Sequence, residues 1–341
     1  MEFVPVDPTR FRDSFIGAIT SRGAKNNTYK FALARFLLDH CNGPDPSTKV
    51  RYEEIGRAFF KYYWLQECKS RLRQGPEKQT PRVISIIRKR FPEPIYPQSF
   101  AEISSEKPHE IAECVKEITK RCFNDVIPRF QKTSGEERRI FYTYFAKSYH
   151  DAADNRKVDP GGGILLNPAA ISFLRENYVP LYKAVMLEWI RFLERINDVP
   201  NLVRKVEGST PGIRNQAALR GPLEEIDSIC FYCSKDLRGG GTAKGKTHVD
   251  HVIPYDYIGD TEMWNAVLAC STCNCTKLDR LPQCHYVEKL IRRNRENGAS
   301  NRKLRDSLAR LRSADDVRWH YENAQRHGYP ILENFPVQRQ K

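Results

Sequence analysis

The sequence has no apolar run long enough to cross a bilayer, and its opening, MEFVPVDPTRFRDSF, lacks the apolar core of a secretory signal. These absences exclude a helical membrane protein and set a soluble, cytoplasmic protein as the expectation. There are no internal repeats and no low-complexity tail, so repeat-array and disordered architectures fall away. A nucleotide-type phosphate loop is missing as well. The DPGGG at 159–163 carries no Lys-Ser/Thr and precedes an apolar run rather than a helix start, so it reads as a turn. Acidic residues are the scarcer charge, 42 against 56 Lys and Arg, and the net of +14 is the footprint of a polyanion binder.

That charge is unevenly spread. Residues 1–205 hold 35 Lys/Arg and 25 Asp/Glu, residues 206–276 hold 6 and 9, and residues 277–326 hold 13 and 7. A locally acidic segment therefore lies between basic flanks, which could hold an anionic partner and present it to that segment. The densest basic run, KSRLRQGPEKQTPRVISIIRKR at 69–90, has eight Lys/Arg and one Glu. Arg88, Lys89 and Arg90 there, with Arg292, Arg293 and Arg295 in IRRNR, are the candidate phosphate contacts. Phosphate contacts position a nucleic acid without reading its sequence.

With 341 residues, 40% apolar and 11% aromatic, the chain can bury two cores. The first two hundred residues show mostly helical periodicity. NNTYKFALARFLLDHCNG puts Phe31, Ala34, Leu37 and Leu38 on one face before an Asn42-Gly43 stop, and YEEIGRAFFKYYWLQECKSRL repeats the pattern. HEIAECVKEITKRCF spaces Ile111, Val115, Ile118 and Cys122 helically, and VPLYKAVMLEWIRFLERIN has the strongest stripe. RRIFYTYF and GGILLN read as short strands. The segment 207–227 mixes Gly, Pro and charge and reads as a linker. The expected organisation is a helical domain at 1–206, a linker at 207–227, and a smaller α+β part with trailing helices at 228–341. The fold class is mainly α with a small α+β part.

Of ten cysteines, Cys41, Cys68, Cys114 and Cys122 sit in apparent helices as small apolar residues, whereas six cluster between Cys230 and Cys284. In a reducing compartment such clustering points to metal. Cys230 and Cys233 form one CxxC pair and Cys270 and Cys273 another, 36 residues apart. Two such pairs make a tetrahedral all-sulfur site for Zn²⁺, closed to water and hence structural. Cys275 and Cys284 are surplus, and His248 or His285 could replace one ligand.

A zinc clip needs nothing further, yet this one encloses chemistry. THVDHVIP alternates as a strand, NAVLAC reads as a second, and STCNCTKLDRL opens a helix that Ser271 can cap. Asp250 and His251 fall on the first strand, where successive side chains face opposite ways unless the strand is twisted or bulged. Asn274 falls in the first helical turn. A histidine is suited to proton transfer near neutral pH, and Asp and Asn oxygens are hard ligands suited to Mg²⁺.

The two cysteine pairs with VDHVIP, NAVLAC and CSTCNCTK resemble the HNH nuclease family, the ββα-metal fold, over about fifty residues from Cys230 to Arg280. The resemblance implies that Asp250 and Asn274 bind a catalytic Mg²⁺ or Mn²⁺ and that His251 is the general base. It also implies that Asn265 holds the loop between the strands and that Lys277 lies near the phosphate. It further implies hydrolysis of DNA, expected double-stranded, leaving a 5′-phosphate and a 3′-hydroxyl. A looser likeness of the helical half to regions accompanying HNH domains in bacterial restriction and anti-phage proteins suggests defence. A protein partner or activating ligand could engage that half. The rivals are a non-catalytic zinc-ribbon nucleic-acid binder, an RNA-cleaving effector with the same site, and a toxin-like nuclease silent until a partner engages.

Overall fold

The computed structural model describes residues 7–20, 27–76, 79–92, 98–133, 136–137, 139–144, 162–207, 217–238, 247–313 and 315–335. The chain is mainly helical with small antiparallel sheets, and it divides into two compact units, Met1–Asn197 and Asp198–Lys341.

In the first unit the apolar stripes become buried faces. Helix α1 (Tyr29–Cys41) precedes strand β1 (Lys49–Arg51) and helix α2 (Tyr52–Tyr63). There follow α3 (Arg82–Arg90), α4 (Pro108–Arg121) and α5 (Phe123–Phe130), then β2 (Tyr142–Tyr144), β3 (Gly163–Leu166) and the long α6 (Tyr178–Glu194). The core is aromatic: Phe31 of α1 stacks on Trp189 of α6 with centroids 6.0 Å apart, and Tyr63 tilts against the same indole. One expected helix changes character. After Tyr63 the chain widens into a π-helical turn, Trp64–Lys69, which buries both Trp64 and Cys68.

Both expected strands form, pairing antiparallel in the order β1-β3-β2. Gly163 opens β3 because a Cβ there would collide with the Val50 carbonyl oxygen. The rest of the glycine-rich run, 159–161, lies outside the described residues.

In the second unit the segment expected as a linker is partly structured. Helix α7 (Ala217–Glu224) buries Leu219 and Leu223, while 208–216 lies outside the described residues. A hairpin follows, β4 (Thr247–His251) with β5 (Ala266–Cys270), then α8 (Ser271–Lys277). The trailing helices are α9 (Cys284–Asn297), α10 (Arg302–Leu308) and α11 (Asp316–Arg326). They grip the loop entering β5. Arg293 donates to the carbonyls of Met263 and Trp264, Asn294 donates to Trp264, and the Trp264 amide donates to Ser307 Oγ. The Trp264 indole stacks on His320 of α11 at 5.7 Å.

Burial of His320 depresses its pKa to about 4. The unfolded chain therefore binds the extra proton between about pH 6.5 and 4, so this contribution is fully present above 6.5 and lost as pH falls toward 4. Urea denaturation across pH 7.5 to 4.5 is expected to show a shallower acid-side loss of stability for His320→Phe than for the wild type. Parallel slopes would remove His320 from the balance.

Candidate active site and cysteine clip

The clip comes first because it fixes three chain segments. Cys230 and Cys233 lie in a turn closed by Cys230 N–H to the Lys235 carbonyl (2.7 Å) and Ser234 N–H to the Cys230 carbonyl (2.9 Å). Ser234 reaches the left-handed region, with φ 60°. Phe231 N–H bonds Leu268 O at 2.9 Å, docking that turn on β5. Cys270 ends β5 and caps α8, its sulfur accepting from Cys273 N–H at 3.5 Å, so Cys270 takes the capping place expected for Ser271.

All four sulfurs lie within 4.8 Å of one another, and Cys233 Sγ and Cys270 Sγ are 3.8 Å apart. A tetrahedron of Zn–S bonds near 2.3 Å has edges of about 3.8 Å, so the donor set fits zinc. Every cysteine is a free thiol. Burial works to raise the Cys230 thiol, but amides of Cys233, Cys270 and Tyr232 donate to it and the balance lowers its pKa. Burial, then the negative Cys230, pushes Cys273 up. Such thiols ionise together only around a cation. Among the described residues the cluster is these four cysteines, without His248 or His285.

Strand β4 pairs with β5 residue for residue, Asp250 opposite Val267 and His251 opposite Ala266, with no bulge. The two side chains accordingly take different neighbours. Asp250 Oδ2 accepts from the Tyr232 hydroxyl at 2.5 Å and lies 3.4 Å from Lys277 Nζ. The His251 ring lies 5.3 Å from that of Tyr255, and its carbonyl accepts from Lys277 Nζ at 2.6 Å. Lys277 is thus only 1% exposed, on Asp250 and the His251 backbone, where the resemblance had implied a place near the phosphate.

Asn265, fully buried, closes the loop leaving β4. It accepts from Ile253 N–H and donates to the Ile253 carbonyl, each at 2.8 Å, while its own carbonyl accepts from Val252 N–H. Asn265 therefore holds the backbone just after His251. Asn274 is half-buried, one turn before Lys277 on α8, so the two share a helix side. Among the described residues its side chain has no hydrogen-bond partner, and Asp250 Oδ1 likewise has none. Each is a hard oxygen donor of the kind that divalent ions take.

Residues 230–283 match the family model for HNH endonucleases.

No curated protein and no solved structure matches the chain. The HNH match supports a nuclease and implies a nucleic-acid substrate. It ends at 283, so the clamping helices lie beyond it.

The expected phosphate contacts divide. Arg88 is spent on Glu67 (3.1 Å), and Arg90 on Glu117 (2.7 Å) and Glu113 (3.6 Å). Arg293 is half-buried with its guanidinium on backbone carbonyls, and the desolvation there lowers its pKa to about 10. These three are structural cations, while Lys89, Arg292 and Arg295 are exposed. Sequence reading missed Tyr232, whose one visible signal is an aromatic hydroxyl inside a CxxC turn.

About one zinc per chain is expected by elemental analysis, with Cys233→Ser or Cys270→Ser unfolding the second unit. Zinc-free protein that is soluble and folded would refute the clip. Tyr232→Phe is expected to cost about 1.5–3 kcal/mol in urea denaturation, because it removes a donor from a buried carboxylate. A neutral result would mean that the hydroxyl does not hold Asp250.

Proposed function

We propose that the chain is a divalent-metal-dependent endonuclease that hydrolyses DNA phosphodiester bonds, with His251 as general base and Asp250 and Asn274 as ligands of Mg²⁺ or Mn²⁺. The observation that carries this reading is the division of labour on Asp250. One carboxylate oxygen is held by Tyr232 and Lys277, and the other has no hydrogen-bond partner among the described residues and is open to an added ligand.

When bound, the divalent ion neutralises charge that develops on the scissile phosphate and its leaving oxygen. His251 takes the proton of the attacking water. Lys277 and Asn265 fix the backbone on either side of that ring, by the His251 carbonyl and by Val252–Ile253 respectively. Lys89, Arg292 and Arg295 are the exposed cations proposed to contact phosphates, each contributing salt-dependent, sequence-independent affinity. The Met1–Asn197 unit is proposed to bind substrate or a partner. The net charge supports a nucleic-acid substrate, and the DNA assignment follows the family resemblance.

Supercoiled plasmid, linear duplex and structured RNA should be incubated with the protein, with and without Mg²⁺ or Mn²⁺. Cleavage of DNA only when metal is added is expected. His251→Ala is expected to lower the rate by about 10²–10⁴-fold with folding and DNA affinity retained. Asn274→Ala is expected to retain binding and lose metal-dependent cutting. Wild-type rates in His251→Ala would shift the base to His248, and cleavage of RNA alone would replace DNA as the substrate.

A further inference from the structure

The first unit contains a cleft of about 630 Å³ lined by the starts of α1 and α3, the end of α4 and the exposed side of α5. Among the described residues its charges do not balance: Lys30, Arg82, Arg121 and Arg129 line it against the carboxylate of Asp125, which is paired with Arg129 at 3.1 Å. Among the described residues Lys30, Arg82 and Arg121 have no ion pair.

Lys30 is the informative member. It sits in the first turn of α1 and is only 9% exposed, yet no acceptor holds its ammonium among the described residues. Its stem is buried while its ammonium opens on the cleft, where it is free to take an acceptor. Burial lowers its pKa, and the neighbouring Arg129 lowers it further. The lysines and arginines of the active-site unit are treated differently. Lys277 is buried on a carboxylate and Arg293 is held on carbonyls. Lys30 alone of these three lines an open cleft without an acceptor.

We propose that this cleft binds the phosphate of a nucleotide, with Lys30 at its base and Arg82 and Arg121 at its rim. A phosphate group brings up to two negative charges and three acceptor oxygens, which matches several convergent donors better than a single carboxylate does. The cleft is much larger than an inorganic anion and lies in the size range of small-molecule sites, so it can also take the attached nucleoside. The phosphate can come from a free nucleotide or from the 5′-phosphorylated end of a strand. The site is independent of the nuclease reading, because none of its residues belongs to that machinery.

The test is calorimetric titration of the full chain without added divalent metal, and without chelator, which would threaten the clip. The probes are AMP, ATP, and a short 5′-phosphorylated single-stranded oligonucleotide beside its 5′-hydroxyl twin. One phosphorylated ligand per chain is expected, with affinity about tenfold or more weaker in Lys30→Met, roughly 1.4 kcal/mol. Arg121→Glu, on the exposed rim, is expected to weaken binding similarly and guards against a folding defect at the buried lysine. Zinc content and plasmid cleavage in both variants report separately on the second unit. Preference for the phosphorylated twin over the hydroxyl twin and over AMP assigns a strand end. Equal twins together with AMP or ATP binding assign a free nucleotide. No saturable binding of any probe, binding of both twins without AMP or ATP, or affinities unchanged in both variants would overturn the site.

Discussion

Four cysteine sulfurs within 4.8 Å of one another decide where a turn, a strand end and a helix start must meet. Cys270 takes part twice, as a member of the cluster and as the cap whose sulfur accepts the Cys273 amide. The helix that carries Asn274 and Lys277 therefore begins where the sulfur chemistry places it. Tyr232, between the first two cysteines, carries the same constraint to Asp250 through a single hydroxyl. Rings of Tyr286 and Phe335 pack against Tyr232 and exclude water from that bond.

Around this anchor the polar residues fall into two kinds. Asn265, Lys277, Arg293 and Asn294 are engaged by backbone or carboxylate partners and hold the main chain near His251. Asp250 Oδ1 and the Asn274 amide are left with capacity unspent. A zinc ribbon that only binds would not need that separation between holding groups and available groups.

Much of the site was legible because its signals are local. Two CxxC pairs, an Asp-His step on an alternating strand and an asparagine after the last cysteine need only spacing to be read. The cations were harder, since composition counts a charge but not its partner. Arg88 is neutralised by Glu67 and Arg90 by Glu113 and Glu117, all remote in sequence, and Lys277 turns inward because Asp250 waits on the neighbouring strand. The segment at 207–227 looked like a linker for its Gly and Pro content, yet Leu219 and Leu223 found an apolar surface and part of it became helix. Tyr232 left almost no trace, because an aromatic in a knuckle is ordinary until its hydroxyl is seen on a carboxylate.

The grip of the trailing helices on the Met263–Asn265 turn bears on how far the HNH-matching segment is portable. A fusion cut at residue 283 would keep all four clustered cysteines, the Asp-His step and both asparagines. It would also strand the buried Trp264 amide and the Met263 and Trp264 carbonyls, whose partners are Ser307, Arg293 and Asn294. The turn that ends in Asn265 would then be free to drift, and the backbone behind His251 with it. The smallest transplantable unit therefore runs through α11, about twice the length that the motif alone suggests.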